Sequence, residues 1–292
     1  MRTPARVGDT PHPHATIRDF LRARLPDRVP VDAWLDEARF VDATGTPIDQ
    51  ATPYTPATFI WFHKDLHPEP EIADLAVLHQ DDRIVVIDKP HFLASIPRGA
   101  HVQNSALIKL RTQLDLPDLA PAHRLDRLTA GVMLFSTAKR WRSAYQELFE
   151  KRLTTKTYEA LAPALPELST PTIVRSHITK RRGELQAVEL PDEPPNAETL
   201  VTLVATHGDL GTYRLEPTTG RTHQLRVHLN GLGAPIIGDP LYPTVSDAPE
   251  DPTQPLRLIA RTLAFTDPID GSSRTFVSRV RFTFTDLEPT LP

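Results

Sequence analysis

The sequence predicts an α+β chain, a mainly antiparallel mixed β-sheet with flanking helices over residues 71–292, preceded by a small N-terminal α/β module over 14–70. Two observations carry this prediction. Apolar, β-branched runs of strand length recur at 84–88, 132–136, 199–206 and 212–216, and the last two are joined by the turn His207-Gly208-Asp209-Leu210-Gly211, which makes them antiparallel neighbours. Other stretches place apolar residues at steps of three and four, the mark of amphipathic helices with one face on a core.

Taken in order, residues 1–13 are polar and proline-rich and read as a loose tail. Ile17, Phe20, Leu21 and Leu25 stand at helical spacing, and Val31, Trp34 and Leu35 repeat the pattern beside Asp32, so two short helices are expected. Arg39–Asp42, a turn at Gly45 and the stretch ending at Trp61-Phe62 suggest a small sheet. Such a unit is too short to bury much core and is expected to lean on its neighbour. Pro-Glu-Pro-Glu at 68–71 marks a linker. The run 83–88 is a buried strand stopped by Lys89-Pro90, and Leu107, Leu110 and Leu114 define a helix over 105–114. The loop His123-Arg124-Leu125-Asp126-Arg127-Leu128-Thr129-Ala130-Gly131 then leads into the strand 132–136.

Ala138, Trp141, Tyr145, Leu148 and Phe149 predict a helix over 137–151 with its basic residues outward, and 156–161 is a strand with Tyr158 and Ala160 on one face. Residues 163–200, rich in proline and charge, read as an insertion or flexible loop with a hairpin around Arg182-Gly183. After the antiparallel pair, Thr222 as N-cap, Leu225, Leu229 and Leu232 on one face and Gly233 beyond the end predict a helix over 222–232. A tight loop over 234–242 and closing strands at 256–265 and 274–284 complete the chain.

Composition narrows the chemistry. With 39% apolar and 24% charged residues the chain is an ordinary globular protein, and 30 prolines against 12 glycines imply stiff, extended connections. The absence of cysteine excludes disulfides, thiolate metal sites and cysteine nucleophiles. No apolar run approaches the roughly 18 residues of a membrane span, and the first residues carry no apolar signal region, so the cytoplasm is the simplest placement. The net charge of −4 hides local basic clusters at Lys139, Arg140 and Arg142, at Lys151, Arg152 and Lys156, and at Lys180, Arg181 and Arg182. Each cluster taken alone is an ordinary solvated face.

His223 and His228 are five residues apart and face different ways on either a helix or a strand, so no metal site is expected. There is no glycine-rich phosphate loop and no G-x-S-x-G elbow, and no cofactor is implied. What remains is a carboxylate among arginines. Asp126 lies between Arg124 and Arg127, with Arg221 suited to hold it as a bidentate fork from far along the chain. Asp126 is open to two readings at this point, a turn residue neutralised by its neighbours or an oriented carboxylate that attacks an anomeric carbon.

Four blocks in order bear on this choice: Val85-Val86-Ile87-Asp88-Lys89-Pro90, HRLDRLTAG at 123–131, Lys156-Thr157-Tyr158, and GRTHQLRVHLNGLGAPIIGDPLY at 220–242. Over residues 80–290 the chain resembles the RluA-type RNA pseudouridine synthases. The resemblance implies the catalytic fold of that family and the isomerisation of specific uridines in ribosomal or transfer RNA to pseudouridine, without a cofactor. It implies that Asp126 is the catalytic aspartate, acting as nucleophile or as base, that Tyr158 is the active-site tyrosine, and that Arg221 is the arginine paired with the aspartate. Arg124 would fill the space left by the flipped uridine. Arg127, Lys139, Arg140 and Lys156 are expected to contact RNA, and Leu225 and Ile237 to wall the pocket. The partner is then RNA, with no membrane, and the default state is a monomer. Segment 14–66 resembles only loosely the small RNA-binding module that begins some relatives. Two other classes fit the same carboxylate: a nucleosidase or glycosidase, which needs a second carboxylate about 5–9 Å away, and a non-catalytic RNA-binding protein.

Overall fold

The structure, a computed structural model, describes residues 14–27, 29–62, 73–97, 104–181, 183–248 and 251–282. The tail over 1–13, the linker at 68–71, Arg182 and the last residues of the final strand lie outside the described residues. Two compact units divide the chain, Met1–Pro68 and Glu69–Pro292.

In the first unit, α1 (Ile17–Arg24) opens on a capping box, in which the Thr16 hydroxyl accepts from Asp19 N at 3.2 Å while the Asp19 carboxylate accepts from Thr16 N at 3.1 Å. Arg18 ties it to α2 (Val31–Asp36) through Asp32 at 2.7 Å. β1 (Phe40–Val41) and β2 (Trp61–Phe62) pair antiparallel. Contrary to the expectation from its length, the unit has a core of its own, with Ile17, Phe20, Leu21, Leu35, Phe40 and Ile60 all buried.

The second unit runs through β3 (Ala76–Gln80), β4 (Ile84–Lys89), α3 (Ala106–Leu114), β5 (Ala120–Pro121), β6 (Ala130–Ser136), α4 (Arg142–Glu150) and β7 (Thr154–Pro163). It continues through β8 (Thr172–Ser176), β9 (Ile178–Thr179), β10 (Val188–Glu189), β11 (Ala197–His207), β12 (Leu210–Pro217), α5 (Gln224–Gly231), β13 (Leu258–Thr266) and β14 (Ser273–Val277). A ten-stranded sheet has the order β3-β4-β6-β13-β7-β12-β11-β8, with β14 also on β13 and β5 also on β6. β4 and β6 are buried along their whole length, as strands covered on both faces must be, which is why they read as unbroken apolar runs.

β13 is the central strand. Its start pairs in parallel with β6, Ile259 opposite Ala130 and Ala260 opposite Gly131, and its end pairs with β14, while β7 lies along its other side. The parallel junction dictates the glycine that closes the 123–131 loop. Gly131 has φ +112°, and a Cβ there would lie 2.3 Å from the Ala260 carbonyl oxygen. Tyr158 on β7 is opposite the same Ala260, so one residue of β13 separates the end of the Asp126 loop from the tyrosine.

Three expectations are corrected. Residues 163–200 are not a flexible loop: β8 forms the sheet edge on β11, and β9 pairs with β10 to give the expected hairpin. β3 carries no clean alternation and was not expected; it pairs with β4 across a bulge between Val77 and His79. α5 begins at Gln224 behind His223 in the left-handed conformation (φ +59°), without a side-chain cap from Thr222. The Gln224 carboxamide instead accepts from Arg221 N at 3.0 Å and from the Thr219 hydroxyl at 2.7 Å, pinning the helix start to the preceding turn.

Candidate active site

Asp126 is fixed by its loop before any partner is considered. The Ser95 hydroxyl donates to Leu125 O at 2.6 Å and accepts from Leu125 N at 3.0 Å. Thr129 N closes a turn on Asp126 O at 3.1 Å, and His91 Nδ1 meets Leu128 O at 2.6 Å. The fully buried Lys89 donates to the carbonyls of Pro90, Leu93 and Arg127 at 2.9, 2.8 and 3.2 Å. Burial pulls the ammonium down to about 7 against the upward pull of the Asp126 charge, and its three carbonyl acceptors match the three N–H bonds of the charged form. His123 stacks on Phe149 with ring centroids 4.3 Å apart, and its Nε2 accepts from Leu134 N at 3.2 Å, tying the head of the loop to β6.

The charge partner of Asp126 is Arg226, whose Nη1 lies 3.7 Å from Asp126 Oδ2. Arg226 is 2% exposed, and its other two nitrogens form a bidentate pair with the buried Asp239 at 2.7 and 2.6 Å. Asp239 also accepts from Leu241 N and Tyr242 N at 2.8 and 3.2 Å, and the guanidinium lies 5.2 Å from the Tyr242 ring centroid. The result is a rigid chain of carboxylate, guanidinium and carboxylate, with only Asp126 at its wet end, 33% exposed.

A cleft of about 950 Å3 surrounds Asp126. Arg124, Arg127, Lys156, Tyr158 and Leu225 line it. Burial, with the Asp126 charge adding to it, raises the Tyr158 hydroxyl pKa, so the side chain is held as a neutral phenol. Lys156 donates to Thr219 O at 3.2 Å on the cleft wall.

Other expected site residues are engaged differently, although Arg221 also lines the cleft. Arg221 does not pair with Asp126: it precedes α5, is exposed, and gives its Nε to Asn196 O at 3.1 Å, while the arginine one turn further, inside the buried helix, reaches the aspartate. The Arg127 guanidinium donates to Phe92 O at 3.2 Å and lies over the Phe92 ring, a structural engagement. Lys139 faces Asp118 at 3.5 Å and Arg140 lies over Trp141, and neither lines the cleft. Ile237 is taken up by backbone bonds to Leu161 and Arg257, and Pro240, Leu241 and Leu258 wall the cleft in its place. Arg226 and Asp239 were missed. The available signal was a charge amid the apolar stretch Leu225–Leu229, which demands a buried partner, and an acid thirteen residues on in Gly238-Asp239-Pro240.

The cleft sets one aspartate, held by a buried arginine, among Arg124, Arg127, Arg152, Lys156 and Arg221, a cation-rich lining suited to an anionic ligand. The solved structure of human RNA pseudouridylate synthase domain containing 4 shares the fold with a TM-score of 0.58 at 28% identity, covering 72% of this chain and 90% of that one. Dual-specificity RNA pseudouridine synthase RluA of Vibrio parahaemolyticus is 34% identical over 185 residues, 58% of this chain and 69% of that protein. The mitochondrial tRNA pseudouridine(32) synthase of Saccharomyces cerevisiae is 29% identical over 258 residues, 78% of this chain and 53% of that protein. The family model described as RNA pseudouridylate synthase matches residues 83–231, and this chain belongs to that family. It is an isomerase that converts uridine in RNA to pseudouridine.

Proposed function

We propose that Asp126 is the catalytic carboxylate of this isomerisation, that Arg226 positions it, and that the substrate is a uridine of ribosomal or transfer RNA bound by a monomer in the cytoplasm. The observation that carries this reading is the asymmetry of the Asp126–Arg226–Asp239 chain: two of its groups are sealed in the fold and the third is offered to the cleft. Isomerisation breaks the N1–C1′ bond, forms a C5–C1′ bond, removes the C5 proton and protonates N1, so it conserves every atom of the uridine. A fixed carboxylate serves either as the nucleophile at C1′ or as the base for the 2′ proton. Tyr158 contributes its ring as a surface for uracil, and the exposed Arg124 at the cleft mouth occupies the stack that the flipped base vacates.

One relative's name specifies transfer RNA and another's states dual specificity, which supports transfer RNA as one substrate and leaves room for a second RNA class. The test incubates purified protein with uridine-labelled ribosomal and transfer RNA transcripts. Pseudouridine is the expected product, whereas free uracil would show a hydrolase and no product would show a binding protein. Asp126→Asn is expected to bind RNA and yield nothing; product from that variant would remove Asp126 from its role.

A further inference from the structure

We propose that a basin beside the catalytic cleft is a phosphodiester-binding subsite that seats the RNA backbone next to the flipped uridine, with Arg152, Arg175 and Arg221 as its cations. The proposal rests on the functional reading above and adds where the strand leaves the catalytic cleft. The basin holds about 450 Å3 and shares Arg152, Thr218, Thr219 and Arg221 with the cleft around Asp126, so a strand with one nucleotide in the cleft continues across it.

Three guanidinium groups line the basin against one carboxylate, Glu198. That carboxylate is bound to Arg175 at 2.6 Å across the β8–β11 register. Among the described residues, Arg152 and Arg221 have no ion-pair partner. Both are exposed, and Lys156 adds a further positive charge beside them, its own ammonium pKa lowered by burial and then by Arg152. Like charges gathered around one concavity repel each other unless an anion joins them.

The geometry is also prepared. Arg221 is braced from both ends, its backbone N on Gln224 and its Nε on Asn196 O, which leaves the two terminal nitrogens for a ligand. Arg152 sits at φ +58°, a conformation unusual for a residue with a side chain, at the turn between α4 and β7. No aromatic ring lines the basin, so it has nothing to stack a base on, whereas guanidinium forks match the paired oxygens of a phosphodiester.

The test uses a twelve-nucleotide oligouridylate as probe and measures its dissociation constant by anisotropy over a range of KCl concentrations. For single-stranded nucleic acid, each phosphate contact contributes about 0.7 to the slope of log Kd against log salt. Arg152→Gln and Arg221→Gln are each expected to lower the slope by about that amount and together by roughly twice it. Arg→Lys at the same positions keeps the slope, and Glu198→Gln tightens binding. A wild-type slope in the double variant, or weaker binding in both Glu198→Gln and the arginine variants, overturns the proposal, because a packing role makes every change act in one direction. If the double variant does not fold, the single variants at exposed positions decide the matter alone. Pseudouridine formation on ribosomal and transfer RNA transcripts is read in parallel: absence of product from the wild type on both overturns the functional reading, while product with unchanged slopes in the variants overturns only the subsite.

Discussion

Arg226 gives Nε and Nη2 to Asp239 and only Nη1, at the longer distance of 3.7 Å, to Asp126. The buried end of the chain therefore sets the orientation of the guanidinium, and the cleft end at Asp126 receives it ready-made. Asp239→Asn leaves the Arg226 charge without its main partner, and breaking such a pair costs about 3–5 kcal/mol. The expected outcome is an unfolding midpoint lower by roughly 6–20 °C. A lower kcat is also expected in the fraction that remains folded. Calorimetry and single-turnover product formation check the two effects separately.

Gly131 cannot accept a side chain. Gly131→Ala places a methyl group against the Ala260 carbonyl at a positive φ, and overpacking of this kind costs about 1–3 kcal/mol before the strain of the backbone is added. Since the contact joins β6 to β13, the variant is expected to melt several degrees lower and to lose activity with it. A variant as stable as the parent would mean that the parallel junction is looser than described.

Lys89→Met removes the donor shared by three carbonyls of the 89–93 and 123–131 loops. Each buried acceptor left without a partner costs about 1–3 kcal/mol, so the variant is expected to be clearly destabilised. Its residual folded protein should show a larger loss in kcat than in RNA affinity, because the phosphate-facing arginines are untouched. Equal losses in the two would contradict this assignment.

Acid sensitivity should have an identifiable source. Burial, with the Lys156 charge adding to it, holds His123 down at about 3, and burial holds His228 down at about 4, whereas both side chains titrate near 6.5 when unfolded. Below about 6.5 the unfolded chain takes up protons that the folded chain refuses, so stability is complete above that pH and is lost as pH falls toward the folded values. Replacing His123 by Gln is expected to flatten the decline of the unfolding midpoint between about pH 6.5 and 4. An unchanged decline would place the acid response elsewhere.

Much of the fold was legible where a strand or helix is governed by its own residues. β4 and β6 are apolar because both their faces are covered, α1 carries its own capping box, and the hydrophobic stripe of α4 contains the buried Tyr145 and Leu148. β3 was not legible, since its register depends on a bulge against β4, and neither was β8, which is a strand only because β11 lies beside it. The site divides in the same way. Asp126 and Tyr158 sit in compact sequence blocks, but the choice between Arg221 and Arg226 depends on where α5 begins, and that start is set by the side chain of Gln224 rather than by the expected cap. Asp239 becomes visible only when its loop folds back on the helix.

The placement of β13 bears on how the enzyme comes into being. Residues 258–266 emerge from the ribosome long after β6 and β7, yet they lie between those two strands. Until they arrive, β7 presents an unpaired edge and the start of β6 at Ala130 and Gly131 lacks its parallel partner, so the Asp126 loop and Tyr158 lack the strand that sets their spacing. Closure is therefore a late, sequence-distant step, of the kind that slows folding. A nascent chain halted before β13 would carry every residue of the Asp126–Arg226–Asp239 chain and still lack the frame that makes them a site.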